Sequence, residues 1–504
     1  MQQEKDLKTS FITRDTRETD DISTTLIVSS ANKNKKLEIL DDFKTEEEDT
    51  ALSFKGLCQY APGFYVNSIP LMFNRMNPYL LNMVSLVFIA FYGSATLTAG
   101  FGLGNAIFMF FWQTFTQVNG ETQGINCSKA FGAQDYKLMR LHFFRGAFWN
   151  ILITIFSAIL YTNIGALLIA AGFEPELTKQ AQLMINTIVP ALFLQTFNEM
   201  IRNYLMSQKV AKPFVWINLA SFCFFPIGGY YIIYASGWGL SGFGLFKFIV
   251  EFINLCGLII VQKKYGHEES LKRESLREIF EWKAYSQYMR DFGKILLGWY
   301  ASYFGLEINT ILCGMTQDTV IMACWVSYMN CFAILWTIGA GLAITTRTRC
   351  GMLVGENKPI LARKYAFYGY ILAVSYSIVA GIFICLMHSQ IAYMFTEVKE
   401  VLPSLSYQIL LVGFLAFFVG SGAMGSTIFR VINRAGFYSI LMMINQVLIS
   451  TSLSIMMLFY FKQGASGVGY AFLVSWCSTL ITTVFYMNKF DWNTLYQPTL
   501  PLKC

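Results

Sequence analysis

From residue 53 onward the chain alternates between long apolar runs and short polar, basic or glycine-containing stretches. A helix needs about 20 predominantly apolar residues to cross a bilayer. Twelve runs reach that length, near 60–92, 95–120, 143–171, 183–206, 214–236 and 239–261, then near 291–314, 319–346, 366–388, 402–426, 437–461 and 467–487. They are continuously apolar, which excludes a transmembrane barrel, whose strands are about ten residues long with strict alternation. The pattern predicts an all-α polytopic membrane protein of twelve helices.

The runs fall into two similar sets of six. Cys127–Gly146 (CSKAFGAQDYKLMRLHFFRG) and Cys350–Gly369 (CGMLVGENKPILARKYAFYG) align without a gap at an offset of 223. They share Cys127/Cys350, Gly132/Gly355, Leu138/Leu361, Arg140/Arg363, Phe144/Phe367 and Gly146/Gly369. A second pair, Gly239–Gly244 (GLSGFG) and Gly464–Gly469 (GASGVG), follows at nearly the same separation, so the chain reads as an internal duplication. An even number of spans per repeat makes the repeats parallel, related by a two-fold axis along the membrane normal, with substrate expected at their interface. The expected organisation is a disordered cytosolic tail at 1–52, six-helix bundles at 53–262 and 291–487, a cytosolic linker at 263–290 and a short cytosolic tail at 488–504.

Charge sets the orientation. Only 14% of residues are charged, against roughly 25% in an average soluble domain. One set of loops carries most of the cations: Lys129, Lys137, Arg140 and Arg145; Arg202, Lys209 and Lys212; the 263–294 stretch; Arg347, Arg349, Lys358, Arg363 and Lys364; Arg430 and Arg434. The opposite set has Lys179, Lys399 and Lys462 among acids. Basic loops stay in the cytoplasm, so both termini and both repeated segments are expected inside. The net charge of +7 is mostly this bias, and nucleic acid is not an expected partner. Residues 1–52 are rich in Thr, Ser, Lys and acids, without an apolar core for a cleaved signal, and are expected to be disordered. His267–Lys283 is helix-compatible and predicted to lie along the inner leaflet as an amphipathic connector.

The eleven cysteines are scattered singly and the three histidines are isolated, so no metal-ligand spacing appears. No phosphate-binding loop or nucleophile elbow is present, so neither an enzyme nor a cofactor is expected. Ionisable groups inside the spans are the candidates, because each costs about 2.5 kcal/mol or more unless paired or hydrated. Arg75 lies among Asn74, Asn77 and Asn82 in the first span, and Glu121 lies beside Gln117, Asn119 and Gln123 near the inner end of the second. Glu199 is late in the fourth, and Lys247 and Glu251 in the sixth are spaced to neutralise each other. Glu121 and Glu199 are close enough to the cytoplasmic ends to reach water or pair with Arg145 or Arg202. Glu307, in YFGLEINTILCG, has no cation within two helical turns; it is either a coupling or substrate-binding carboxylate or the partner of Arg75 across the interface.

The segment after the second span resembles the C-G-Q-A-x-G-A … Q-R element of the multidrug and toxic compound extrusion (MATE) transporters, and Arg347–Arg363 (R-x-R-C-G-M-L-V-G-E-N … A-R) is similar to that family's second-half element, with Asn357 at its asparagine. The likeness continues through Pro190–Gln208 and Phe395–Arg434 to Asp491-Trp492. It implies two six-helix bundles and secondary active export of xenobiotics or organic cations by alternating access, in antiport with H⁺ or Na⁺. The 22 methionines and 16% aromatic residues suit an adaptable apolar cavity, with aromatic faces for cations. Gly100–Gly104 and Gly420–Gly425 are expected to let helices pack closely.

Departures from the family pattern fall at its usual acids. Ser302, Val419, Ser85 and Gly124 stand where various members carry one. Coupling then falls to Glu307, to Glu121, Glu199 or Glu251, or is weak. Arg347 and Arg349 straddle the family's arginine at Thr348. The alternative is a lipid-linked sugar flippase of the same superfamily, with more spans and a strongly cationic cavity, whereas few cations are expected inside these spans; a membrane-embedded transferase is the more remote reading. A monomer suffices, since both halves of a pathway lie in one chain. The expected partners are the bilayer and a small amphipathic or cationic compound, and the expected location is the plasma membrane or an endomembrane such as vacuole or endosome.

Overall fold

Each of the twelve apolar runs becomes a long helix in the computed structural model, which describes residues 52–495 apart from 93–94, 171, 273, 317 and 396–401. The first half contains α1 (Phe54–Tyr92), α2 (Ala95–Phe108, a π segment Met109–Gln113, then Thr114–Gly132), α3 (Tyr136–Thr162), α4 (Pro175–Ser207), α5 (Phe214–Gly229 with a π segment Tyr230–Ala235) and α6 (Gly239–Tyr265). The second contains α7 (Trp282–Met315), α8 (Thr319–Gly355), α9 (Pro359–Phe395), α10 (Leu402–Val431), α11 (from Ala435–Met442 through two π segments to Met456–Tyr460) and α12 (Gly464–Lys489). Among the described residues there is no strand. The tail expected at 1–52 lies, but for Leu52, outside the described residues, as do 496–504 of the terminal tail.

By length and apolar composition eight of these helices qualify as membrane spans. The four that fall short are α1, α2, α4 and α7, which carry Arg75, Glu121, Glu199 and Glu307 respectively. Glu121 and Glu199 are buried against protein and Arg75 nearly so, whereas Glu307 is exposed. The expected ends are also corrected. α2 runs to Gly132 instead of stopping near 120, and α8 to Gly355 instead of 346. Beyond residue 120 the side chains of α2 are buried against other helices, so small polar groups replace the apolar ones lipid would demand. The repeated segments are therefore mostly helix, and only 133–135 and 356–358 form turns. Gln134 and Asn357, equivalent in the repeat, both take the left-handed conformation (φ 58° and 62°) that reverses the chain. Asp135 then caps α3 by accepting the Leu138 N–H at 2.9 Å.

The duplication is visible contact by contact where α2 crosses α8. A Cβ on Gly132 would collide with the Met352 backbone, and one on Gly355 with the Lys129 backbone, its copy at offset 223. Cys127 Sγ donates to Met139 O at 3.5 Å, and Cys350 Sγ to Ala362 O at 3.5 Å. Gly146 packs on Gln123 and Gly369 on Thr346, again equivalent pairs. Ser128 meets Gly351, its own copy, so the pseudo-two-fold axis passes between them. The later motif repeats likewise, with Gly242 against Ile232 and Gly467 against Met457.

Each half has its own apolar core, one around Trp112, Phe243 and Phe246, the other around Trp325, Leu415 and Phe472. The first helix of each half begins in the other half's core. Tyr60 and Phe64 of α1 pack with Tyr365 and Tyr368 of α9, while Phe292 and Ile295 of α7 belong to the first core. The linker is not the expected continuous helix. It makes one 3₁₀ turn (Glu268–Leu271) and one α turn (Leu276–Ile279) before α7 starts. Its carbonyls are claimed from outside: Arg145 donates to Ile279 O and Glu278 O at 2.9 Å each, and Arg140 to Glu269 O at 2.5 Å. Arg140 also pairs with Glu274 at 2.5 Å, and His267 stacks on Tyr136 with centroids 4.2 Å apart. Lys272 donates to Glu269 and holds that carboxyl below its usual range.

Candidate functional site

Between the halves lies a cavity of about 340 Å³, walled by residues of both. The first half contributes Arg75 and Tyr79 from α1 and Glu121 from α2. The second contributes Trp299, Tyr303 and Glu307 from α7, Phe332, Trp336 and Arg347 from α8, Arg430 from α10 and Trp476 from α12. Much of the wall is apolar or aromatic, and the charged groups are few and placed, the usual composition of a small-molecule site.

Glu121 is the hub. Its side chain is 10% exposed, and its carboxylate accepts a close hydrogen bond from Arg430 Nη1 and another from Trp299 Nε1 at 3.1 Å, with Arg75 Nη2 at 3.8 Å. The pairing expected with Arg145 does not occur, because Arg145 is spent on the linker. Nor does Arg75 pair with Glu307; it pairs with Glu121. The bridge between the halves is Glu121–Arg430. Arg430, expected among the basic loop cations, instead lies in the cavity, and nothing in the local sequence singles out Trp299. One signal was available for Arg430: it interrupts an apolar stretch that continues through Val431 and Ile432, as a residue facing a cavity does and a loop residue does not.

Arg347 also turns into the cavity, while Arg349, two residues on, stacks over the Tyr365 ring at 4.9 Å. Arg347 donates to Asn203 Oδ1 at 3.4 Å and lies within electrostatic reach of Glu121 and Glu199. Three arginines thus line a space expected to hold few cations. Glu307 forms no hydrogen bond or ion pair among the described residues, and its side chain faces the cavity. The remaining candidates lie elsewhere. Glu199 pairs with Arg202 at 3.3 Å and accepts from Asn203 at 3.1 Å. Lys247 and Glu251 act on each other electrostatically as expected, without a direct ion pair; Glu251 accepts from Asn198 at 2.7 Å, and Lys247 sits over the Phe108 ring at 4.1 Å. Arg363 lies over Phe367 in α9, far in role from its copy Arg140 on the linker. Among the described residues no three His, Cys, Asp or Glu side chains gather to hold a metal.

The MatE family model matches residues 70–232 and 295–456, once in each half and over more than half of the chain. The chain belongs to the MATE family. It is an integral, multi-pass membrane transporter and not an enzyme. The transporter is similar to Protein DETOXIFICATION 49 of Arabidopsis thaliana, 25% identical over 69% of each chain. It is similar to multidrug and toxin extrusion protein 2 of Pongo abelii, 23% identical over 84% of this chain and 75% of that one. Its fold matches the eukaryotic MATE transporter AtDTX14 with a TM-score of 0.80 at 17% identity, covering 88% of this chain and 98% of that one. Names and fold agree on a MATE efflux transporter.

At the four positions where the family resemblance implies acids, this transporter has neutral residues in three settings. Ser302 lines the cavity but its hydroxyl donates to Gly298 O on its own helix at 3.1 Å; Ser85 does the same to Leu81 O at 2.7 Å. Val419 is part of the second core. Gly124 packs directly on Arg347, where a Cβ would lie 3.0 Å from Nη2.

Proposed function

We propose that this MATE transporter exports amphipathic organic compounds by alternating access in exchange for protons, with Glu307 as the coupling carboxylate. The observation that carries the reading is a lone carboxylate in a cavity built by both halves. A carboxylate free of ion pairs can take up and release a proton as its surroundings change from open to closed; one already shared by arginines, as Glu121 is, cannot do so without breaking them. Na⁺ is the other coupling ion consistent with a free carboxylate.

The same reading assigns a conformation. The α2–α8 crossing and the Glu121–Arg430 bridge close the cavity on the side of the basic loops. With those loops and both termini in the cytoplasm, this is the outward-facing state, in the plasma membrane or an endomembrane such as vacuole or endosome. Transport in one chain needs no second copy. In proteoliposomes, an imposed pH gradient should drive uptake of organic probes, an imposed Na⁺ gradient should not, and E307Q should abolish the gradient-driven component while leaving protein yield near wild type. Unchanged proton coupling in E307Q would remove Glu307 from the site.

A further inference from the structure

The cargo's charge can be read from the cavity. Three guanidinium groups, Arg75, Arg347 and Arg430, face two carboxylates, Glu121 and Glu307. Glu121 is already shared between Arg430 and Arg75 and also lies within electrostatic reach of Arg347. Arg347, 3% exposed, has only the neutral Asn203 Oδ1 at 3.4 Å, and its Nε has no partner among the described residues. Glu199, within electrostatic reach of Arg347, is occupied by Arg202 and Asn203. Arg347 thus has carboxylates within electrostatic reach but none in hydrogen-bond or ion-pair contact, a costly arrangement for a buried guanidinium, and its planar fork matches carboxylate, sulfonate and phosphate oxygens. The equivalent position on α2 is Gly124, so no side chain stands between Arg347 and that helix. The adjoining wall of Phe332, Trp336, Trp476 and Met329 suits an apolar or aromatic body.

We propose that the substrate is an amphipathic organic anion whose acidic group is received by Arg347, with Arg430 and Arg75 beside it. An organic cation placed there would meet three positive charges instead. Anion binding at Arg430 also competes with Glu121 for the guanidinium, so substrate entry loosens the bridge between the halves. The proposal rests on the proton-exchange reading only for what drives transport. An inside-negative potential adds to that drive, because outward anion and inward proton move charge in the same sense.

The test uses the full chain, purified and reconstituted, with p-aminohippurate as an aromatic carboxylate, tetraethylammonium as a cation and a fluorescent phosphatidylglycerol as an anionic lipid. p-Aminohippurate should be taken up under a pH gradient and raise the melting temperature of the purified protein; R347Q should lose about tenfold or more of that uptake together with the thermal shift, and R349Q should keep both. If R347Q fails to fold, R347K serves, retaining charge but losing the fork, with a raised KM expected. Arg347-dependent movement of the labelled lipid, with p-aminohippurate inert, would support the anion site and assign it to a headgroup. Binding and uptake of p-aminohippurate without dependence on the pH gradient would uphold the anion site and overturn proton exchange. Tetraethylammonium uptake with no p-aminohippurate binding would overturn the anion site and leave proton exchange standing. Absence of all three, with no thermal shift, would overturn both.

Discussion

At the level of Cys127 to Gly132, the surroundings of α2 and α8 repeat contact by contact: glycine on the other helix's backbone where they cross, thiol on a carbonyl of the helix that follows, each matched by its copy at offset 223. One to two turns deeper the match ends. Glu121 of α2 corresponds to Ile344 of α8, and Gly124 corresponds to Arg347. Glu121 and Arg347 are two of the five charged groups that line the cavity. Positions kept in both halves hold the helices together, and positions that diverged carry the charge. A duplicated chain thus sorts its own residues by comparing one half with the other, where a single-copy protein offers no such internal control.

Five substitutions would sharpen or break that contrast. R430A takes from the Glu121 carboxylate its closest cation, leaving the Trp299 hydrogen bond and the more distant Arg75 and Arg347, and should destabilise the protein by about 3 kcal/mol; thermal unfolding in detergent reads it, and an E121Q/R430Q pair should recover most of the loss. G132V and G355V should each cost about 3 kcal/mol, because backbone cannot move aside as a side chain can. They should cost the same, and a difference of more than about 1 kcal/mol in unfolding free energy would show that the two halves do not share the crossing equally. Next comes R145A, which removes two charged hydrogen bonds to the linker and should cost about 1.5–3 kcal/mol. The smallest effect belongs to Tyr368, the copy of Arg145. Its hydroxyl donates to Ser53 O at 2.9 Å and accepts from Ser53 N at 3.1 Å, so Y368F should cost about 1 kcal/mol.

The last two form a second comparison. Arg145 on α3 holds the segment leading into α7, and Tyr368 on α9 holds the segment leading into α1. Each half grips the chain just before the other half's first helix. The task is conserved, while the chemistry is ionic in one copy and neutral in the other.

Much of the architecture was legible from apolar runs, because lipid contact forces continuity on any helix it touches. Helix ends were not, since past residue 120 α2 touches protein and its polarity mimics a loop. For the same reason Arg347 and Arg430 were counted as topogenic loop cations; a basic residue near a helix end reads alike whether it reaches water or turns inward. Glu121 and Arg430 are 309 residues apart, a pairing that no local spacing announces. The i, i+4 spacing of Lys247 and Glu251 announced their mutual charge interaction, but not the Phe108 ring and the Asn198 amide that neighbouring helices bring to them. Glu307 was legible because its isolation is a property of its own segment.

The meeting of Ser128 with Gly351 fixes something about ancestry. A residue on a two-fold axis meets its own twin, so a homodimer of half-length chains must place two identical side chains there. Here a Cβ on Gly351 would run into the Ser128 hydroxyl, leaving room for one side chain only. Fusion into a single gene let one copy keep a side chain and the other discard it. Two copies of the first half would bring serine against serine on that axis, so the first half is committed to a partner with glycine there.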